Sequence, residues 1–195
     1  MRPDIYISAD VETDGPIPGK HSLLSLGLAV AARFDGQKMR PADPDAQTFY
    51  CELRPTFDEV DPDALAISGL DRAELLANGT TPVEGMSAAA NWVLDVAGDD
   101  RPVMVAFPLA FDWLWLQWYF LHFCPDGSPF SFSSCLDMKT LFWARQGTPL
   151  DGAGMGELPP DLRPTRRHTH NALDDAIEQA ELFVRLWPQH STSSA

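Results

Sequence analysis

Ile5-Tyr6-Ile7-Ser8-Ala9-Asp10-Val11-Glu12-Thr13-Asp14-Gly15 is the stretch on which the reading of this chain turns. Ile5 to Ala9 is an apolar, β-rich run suited to the interior of a sheet, and Asp10 and Glu12 follow at its carboxyl end with one apolar residue between them. In extended backbone, residues two apart share a face. Two carboxylates held that close repel each other, and a divalent cation bound by oxygen ligands relieves the repulsion. An isolated Asp-x-Glu is more simply a strand running out into an acidic turn, so the outcome depends on partners elsewhere in the chain.

The chain has 195 residues, 45% of them hydrophobic. That is enough for a full core, and one α/β domain is expected over residues 1–190, with a disordered tail at Ser191–Ala195. Met1-Arg2-Pro3-Asp4 leads straight into the first strand without a signal-peptide pattern, and no apolar run reaches membrane-spanning length. Cys51, Cys124 and Cys135 are odd in number and form no CxxC, which points away from a disulfide framework or a zinc motif and towards a reduced, cytoplasmic setting. A formal net charge of −14 argues against broad, charge-driven binding of nucleic acid. It remains compatible with an enzyme that reaches phosphate through metal ions, because carboxylates must then hold the ions.

Beyond Gly15 the pattern continues as a sheet and then changes. Pro16 to His21 is turn-rich, Ser22 to Phe34 is a long apolar run containing Gly27, and Asp35-Gly36 marks a hairpin. Gln47 to Leu53 supplies the next strand, so the first half begins as an antiparallel meander. Asp61-Pro62 opens a short helix ending near Ser68-Gly69, and Asp71 caps another that Asn78-Gly79 closes. Thr81-Pro82 starts a longer amphipathic helix running to Val96. Arg101 to Ala106 is a buried strand, and Ala110 to Phe123 is a helix dense in Trp and other aromatics, suited to the core or to a homodimer interface. Ser134 to Ala144 reads as a short strand entering a helix. Gln146 to Pro164 is rich in Gly and Pro and is expected to be a mobile loop, and Asn171 to Leu186 forms the last helix.

Three acidic signals stand in order along this frame: Asp10-Val11-Glu12, then Phe111-Asp112 at the start of the aromatic helix, then His170-Asn171-Ala172-Leu173-Asp174-Asp175 opening the last helix. With these motifs the chain resembles the DEDDh exonucleases, a 3'-to-5' exonuclease superfamily that includes ribonuclease T, oligoribonuclease and polymerase proofreading subunits. The resemblance spans residues 4–187. It implies a ribonuclease-H-like α/β fold, with a mixed sheet antiparallel at first and parallel later, flanked by helices. It also implies Asp10, Glu12, Asp112 and Asp175 as ligands of two Mg²⁺ or Mn²⁺ ions and His170 as the general base. Asp137 looks like a further acidic residue of the family with a structural role. Asp174 is read as a helix N-terminal acid favoured by the dipole.

The chemistry agrees with the resemblance. Two divalent ions about 3.5–4 Å apart are a recurrent device for in-line attack on a phosphodiester, and an imidazole is suited to take a proton near neutral pH. The implied activity is hydrolysis of single-stranded nucleic acid from the 3' end with release of nucleoside 5'-monophosphates. RNA is favoured over DNA on the small size of the chain, with a DNA exonuclease or a non-catalytic module of the same fold as alternatives. Candidate substrate contacts are Val11, Thr13, Leu23, Leu24, Phe107 and Arg167. Phe107 precedes Asp112 where family members commonly carry a polar pair, and either stacks on a base or packs in the core. Arg163, Arg166 and Arg167, just upstream of His170, either contact phosphate or belong to an ordinary solvated loop. His21 reads as a lone exposed histidine.

Overall fold

The computed structural model describes residues 2–187. The tail expected at Ser191–Ala195 lies outside the described residues. The opening stretch forms β1 (Asp4–Thr13), which pairs antiparallel with β2 (Leu23–Phe34). β2 turns through Asp35-Gly36 into the short β3 (Met39–Pro41) and also pairs with β4 (Thr48–Glu52). On its other edge β1 pairs parallel with β5 (Arg101–Ala106), and β5 pairs parallel with β6 (Cys135–Asp137). The order β3-β2-β1-β5-β6, with β4 also on β2, is the mixed sheet expected, antiparallel first and parallel later.

β1 is longer than its apolar run. Asp10 and Glu12 do not follow the strand but belong to it, opposite Gly27 and Ser25 of β2. Cross-strand pairing along all of β2 carries the extended backbone through polar residues that propensity alone would end.

Caps set the helix limits. Asp61 and Asp71 accept backbone N–H groups at the starts of α1 (Pro62–Ser68) and α2 (Arg72–Asn78), and Thr81 caps α3 (Pro82–Ala97). Gly69 ends α1 with φ +65°, a conformation that favours glycine. The aromatic helix is α4 (Leu109–Phe123), followed by α5 (Met138–Gln146) and α6 (Ala172–Leu186). Asp137 caps α5 with one carboxylate oxygen, while the other accepts the Leu109 N–H at 2.9 Å. It is thus a structural pin between β6 and the start of α4.

The alternation of β1 divides two cores. Ile5, Ile7, Ala9 and Val11 face one that also holds Met86, Val93, Trp115, Tyr119 and Phe120 of α3 and α4. Tyr6 faces the other, with Phe142 of α5 and Ala176, Ala180 and Phe183 of α6. Asp10 and Glu12 share the face of Tyr6 and therefore look towards α6. The helix comes close because the facing side of β2 is small. A Cβ at Gly27 would stand 2.1 Å from the Ala172 carbonyl oxygen, so glycine is required there.

The Gly/Pro segment is not a free loop. Two 3₁₀ turns, Leu150–Ala153 and Met155–Glu157, fold it back, and Ala153 and Leu158 are buried in the α6-side core. Arg163 donates to the Leu158 carbonyl, and Arg166 pairs with Glu181 and Asp45. His21 is buried rather than exposed; its Nδ1 accepts the Ile17 N–H, and Gly15 leaves the room its ring needs. Among the described residues no helix is long and apolar enough to cross a membrane.

Candidate active site

β1 and α6 bring three of the acidic residues together, and α4 adds Asp112, near enough for its charge to act on Asp10 but outside the group of three. β1 contributes Asp10 and Glu12, the first turn of α4 contributes Asp112, and the first turn of α6 contributes Asp175. One oxygen each from Asp10, Glu12 and Asp175 lies within 4.8 Å of the others. Asp112 is 6% exposed and Asp175 fully enclosed. At a helix N-terminus each gains from the local positive potential.

The repulsion inferred from the sequence is visible in the ionisation. Burial, then the charges of Asp112, Glu12 and Asp175, raise the Asp10 carboxyl well above the usual range, against the hydrogen bond from Gln179. Burial, then Asp175, pushes Glu12 up to about 7. Burial also raises Asp112 to about 8, with backbone N–H groups of Asp112 and Val11 opposing it. Among the described residues none of Asp10, Glu12 and Asp112 forms an ion pair with Lys or Arg. A buried, uncompensated, all-oxygen donor set fits a hard divalent cation such as Mg²⁺ or Mn²⁺.

Metal-free stability is expected to carry the mark of this strain. Glu12 and Asp112 keep protons in the folded state that the unfolded chain releases near its ordinary values of 4.5 and 3.8. Their contribution is therefore fully present below those values and is lost as pH rises through about 7 to 8. In EDTA, Asp112→Asn should melt several degrees above wild type at pH 8, taking roughly 2–4 °C per kcal/mol for a chain of this size. The gap should close towards pH 5. A gap that does not change with pH would show that the two carboxyls are not strained.

His170 sits on the loop entering α6 with φ +57°, unusual for a residue other than glycine. Asp175 holds that loop in place. Its Oδ1 accepts the Thr169 N–H and its Oδ2 the His170 N–H, both at 2.8 Å. Asn171, not His170, caps α6, its Oδ1 accepting the N–H groups of Leu173 and Asp174.

Sequence reading missed three neighbours. Gln179, 3% exposed, donates to Asp10 Oδ1 at 2.8 Å while accepting the Phe107 N–H at 2.6 Å, tying β1 to the end of β5. Its signal was there: it lies four residues after Asp175, on the same face of α6. Glu178 and His168 are the others, the ring Nδ1 standing 3.3 Å from Glu178 Oε2 and 3.2 Å from Asp175 Oδ2.

The candidate substrate contacts divide. Val11, Thr13, Leu23, Leu24 and Phe107 are all buried, Leu23 and Leu24 completely, so what the two leucines can present to a ligand is main chain. Phe107 packs in the α6-side core, the second of the two uses open to it. Arg167 is exposed on the loop beside His168.

No family model matches the chain. It is 35% identical over 186 residues to the 3'-5' DNA exonuclease Cap18 of Escherichia coli, covering 94% of this chain and 92% of that one. Among solved structures it is similar to E. coli exonuclease I in complex with a dT13 oligonucleotide, with a TM-score of 0.64 and 15% identity. It is also similar to a 3'-exonuclease solved for 3'-end recognition of a histone mRNA stem-loop, with a TM-score of 0.65 and 11% identity. Each likeness covers 95% of this chain but only 40% and 63% of the solved chains, and at such identities it bears on the fold. The fold, the order of the acidic motifs and the near full-length identity to Cap18 agree: the chain belongs to the DEDDh 3'-to-5' exonuclease superfamily.

Proposed function

We propose that the protein hydrolyses single-stranded DNA from the 3' end, using divalent cations held by Asp10, Glu12, Asp112 and Asp175. The convergence of the Asp10, Glu12 and Asp175 oxygens within 4.8 Å, beside the His170 loop, is the observation that carries this reading. Bound at the carboxylates, divalent ions supply Lewis-acid stabilisation of the charge that develops on the attacking and leaving oxygens.

The chain's own groups do the rest. His170 accepts a proton from the attacking water as its oxygen bonds to phosphorus and the bond from phosphorus to the 3'-oxygen breaks; solvent protonates the leaving oxygen, and a nucleoside 5'-monophosphate departs. Asp175 positions His170 through the hydrogen bond to its N–H. Gln179 orients Asp10. Arg167, exposed beside this loop, is suited to a substrate phosphate.

DNA is preferred here over RNA because the 35% relative is named a DNA exonuclease. The expectation of RNA rests on the small stand-alone size of the chain without an evident polymerase-tethering tail.

Matched DNA and RNA single strands carrying a 5' label, incubated with protein and Mn²⁺, test the assignment. We expect a ladder shortening from the 3' end, faster for DNA, and no shortening when the 3'-hydroxyl is blocked. Equal or faster loss of RNA would return the substrate to RNA, since discrimination needs a group that senses the 2'-hydroxyl. Cleavage of a circular strand would make the protein an endonuclease.

A further inference from the structure

Beside the all-oxygen cluster lies a second donor set of different chemistry. His168, His170 and Asp175 each offer a ligand atom, and these atoms lie within 4.8 Å of one another. The two rings meet edge to face, centroids 4.6 Å apart. Backbone N–H groups of Thr169 and His170 are pinned to Asp175, and the His168 Nδ1 stands 3.2 Å from the same carboxylate, so both imidazoles lie near it without an ion. Both histidines are exposed, which leaves a path for an ion from solvent.

Charge points the same way. Asp175 and Glu178 are buried at 0% and 5% exposure, and among the described residues the only ion-pair partner of either is His168. Apart from the backbone N–H groups on Asp175, the charge available to these two enclosed carboxylates among the described residues is one imidazole, charged only when protonated. A divalent cation would supply the missing charge, with Glu178 left to accept from a ring nitrogen of His168 and orient it.

Donor type discriminates between ions. Carboxylates alone suit Mg²⁺ and Mn²⁺, whereas two imidazoles and a carboxylate form a set that Zn²⁺ favours over hard cations. The two sets share Asp175, and the second also contains His170. We propose that His168, His170 and Asp175 form a Zn²⁺ site whose occupation switches the adjacent centre off, by taking His170 and one of the shared carboxylate's free positions. The inhibitory half rests on the exonuclease reading above; the binding half does not.

The two halves are tested separately. Zn²⁺ affinity is measured without substrate, by competition with a chromophoric chelator, on Asp10→Asn/Glu12→Gln protein in which the all-oxygen set is impaired. One Zn²⁺ per chain is expected, with affinity at least about tenfold weaker after the further change His168→Ala or His168→Asn, circular dichroism confirming that each variant is folded. No binding to the double variant, or binding unaffected by both His168 changes, would overturn the site. With the site established, Mn²⁺-supported hydrolysis is titrated with Zn²⁺ in otherwise wild-type protein and in His168→Ala, each normalised to its own rate without zinc. Half-inhibition should move to at least about tenfold more Zn²⁺ in the variant. Bound zinc that leaves wild-type hydrolysis untouched would overturn the switch. A protein that binds zinc as expected but hydrolyses nothing would refute the exonuclease reading and leave the binding site standing.

Discussion

Asp10→Asn should lower hydrolysis by about 10³-fold or more, because removing one of the proposed metal ligands removes several kcal/mol of transition-state stabilisation, at 1.36 kcal/mol per tenfold. The fold should survive. Asn is isosteric and its carbonyl oxygen can still accept from Gln179 Nε2, so the bridge from Asp10 through Gln179 to the Phe107 N–H is kept. The Asp10 carboxyl is raised by burial and by three neighbouring carboxylates, and the substitution removes one charge from that group. In EDTA the variant should therefore melt above wild type, while in excess Mn²⁺ the order should reverse, since wild type alone gains the full binding energy of the ion. Differential scanning calorimetry with and without Mn²⁺, beside a turnover assay, measures both. Wild-type activity that persisted in excess EDTA would refute the metal-dependent mechanism outright.

Loss of His170 should cost on the order of 10²–10⁴ in rate, the range for a general base. Mn²⁺ binding to the carboxylates should persist in His170→Ala, measured by calorimetry, whereas Asp175→Asn should weaken it. The rival, that His170 merely caps the last helix, is already narrowed because Asn171 makes the capping hydrogen bonds. Backbone strain needs its own control. His170 has φ +57°, and Asn tolerates that conformation better than Ala, so His170→Asn separates a strained loop from a missing base. Both variants should be slow. A folded His170→Asn protein that turned over at the wild-type rate would remove the base from the mechanism.

Much of the fold and of the site is encoded in local spacing. The period of two that puts Asp10 and Glu12 on one face, the caps at Asp61, Asp71 and Thr81, the Asp35-Gly36 turn and the spacing of His170 to Asp175 all depend on residues a few positions apart, and backbone geometry translates such spacings directly. The order of the acidic motifs was enough to indicate the superfamily and hence the mixed sheet.

Long-range packing decided the rest. Asp10 and Glu12 lie inside a strand because β2 pairs along its whole length, a partnership visible only in three dimensions. Leu23 is enclosed in the core it shares with α4, where the Tyr119 hydroxyl accepts the Leu23 N–H at 2.7 Å, and Leu24 beside it is fully buried too. The Gly/Pro segment has no period, yet Ala153 and Leu158 are buried in the core that also holds residues of α5 and α6. Gln179, Glu178 and His168 carry no motif; their importance comes from standing next to Asp10 and Asp175 once α6 has crossed β2 at Gly27. Which residues carry charge is a property of the sequence, but which charges share one small buried volume depends on contacts between distant segments, and those contacts set the ionisation of Asp10, Glu12 and Asp112 and hold the His170 backbone in place.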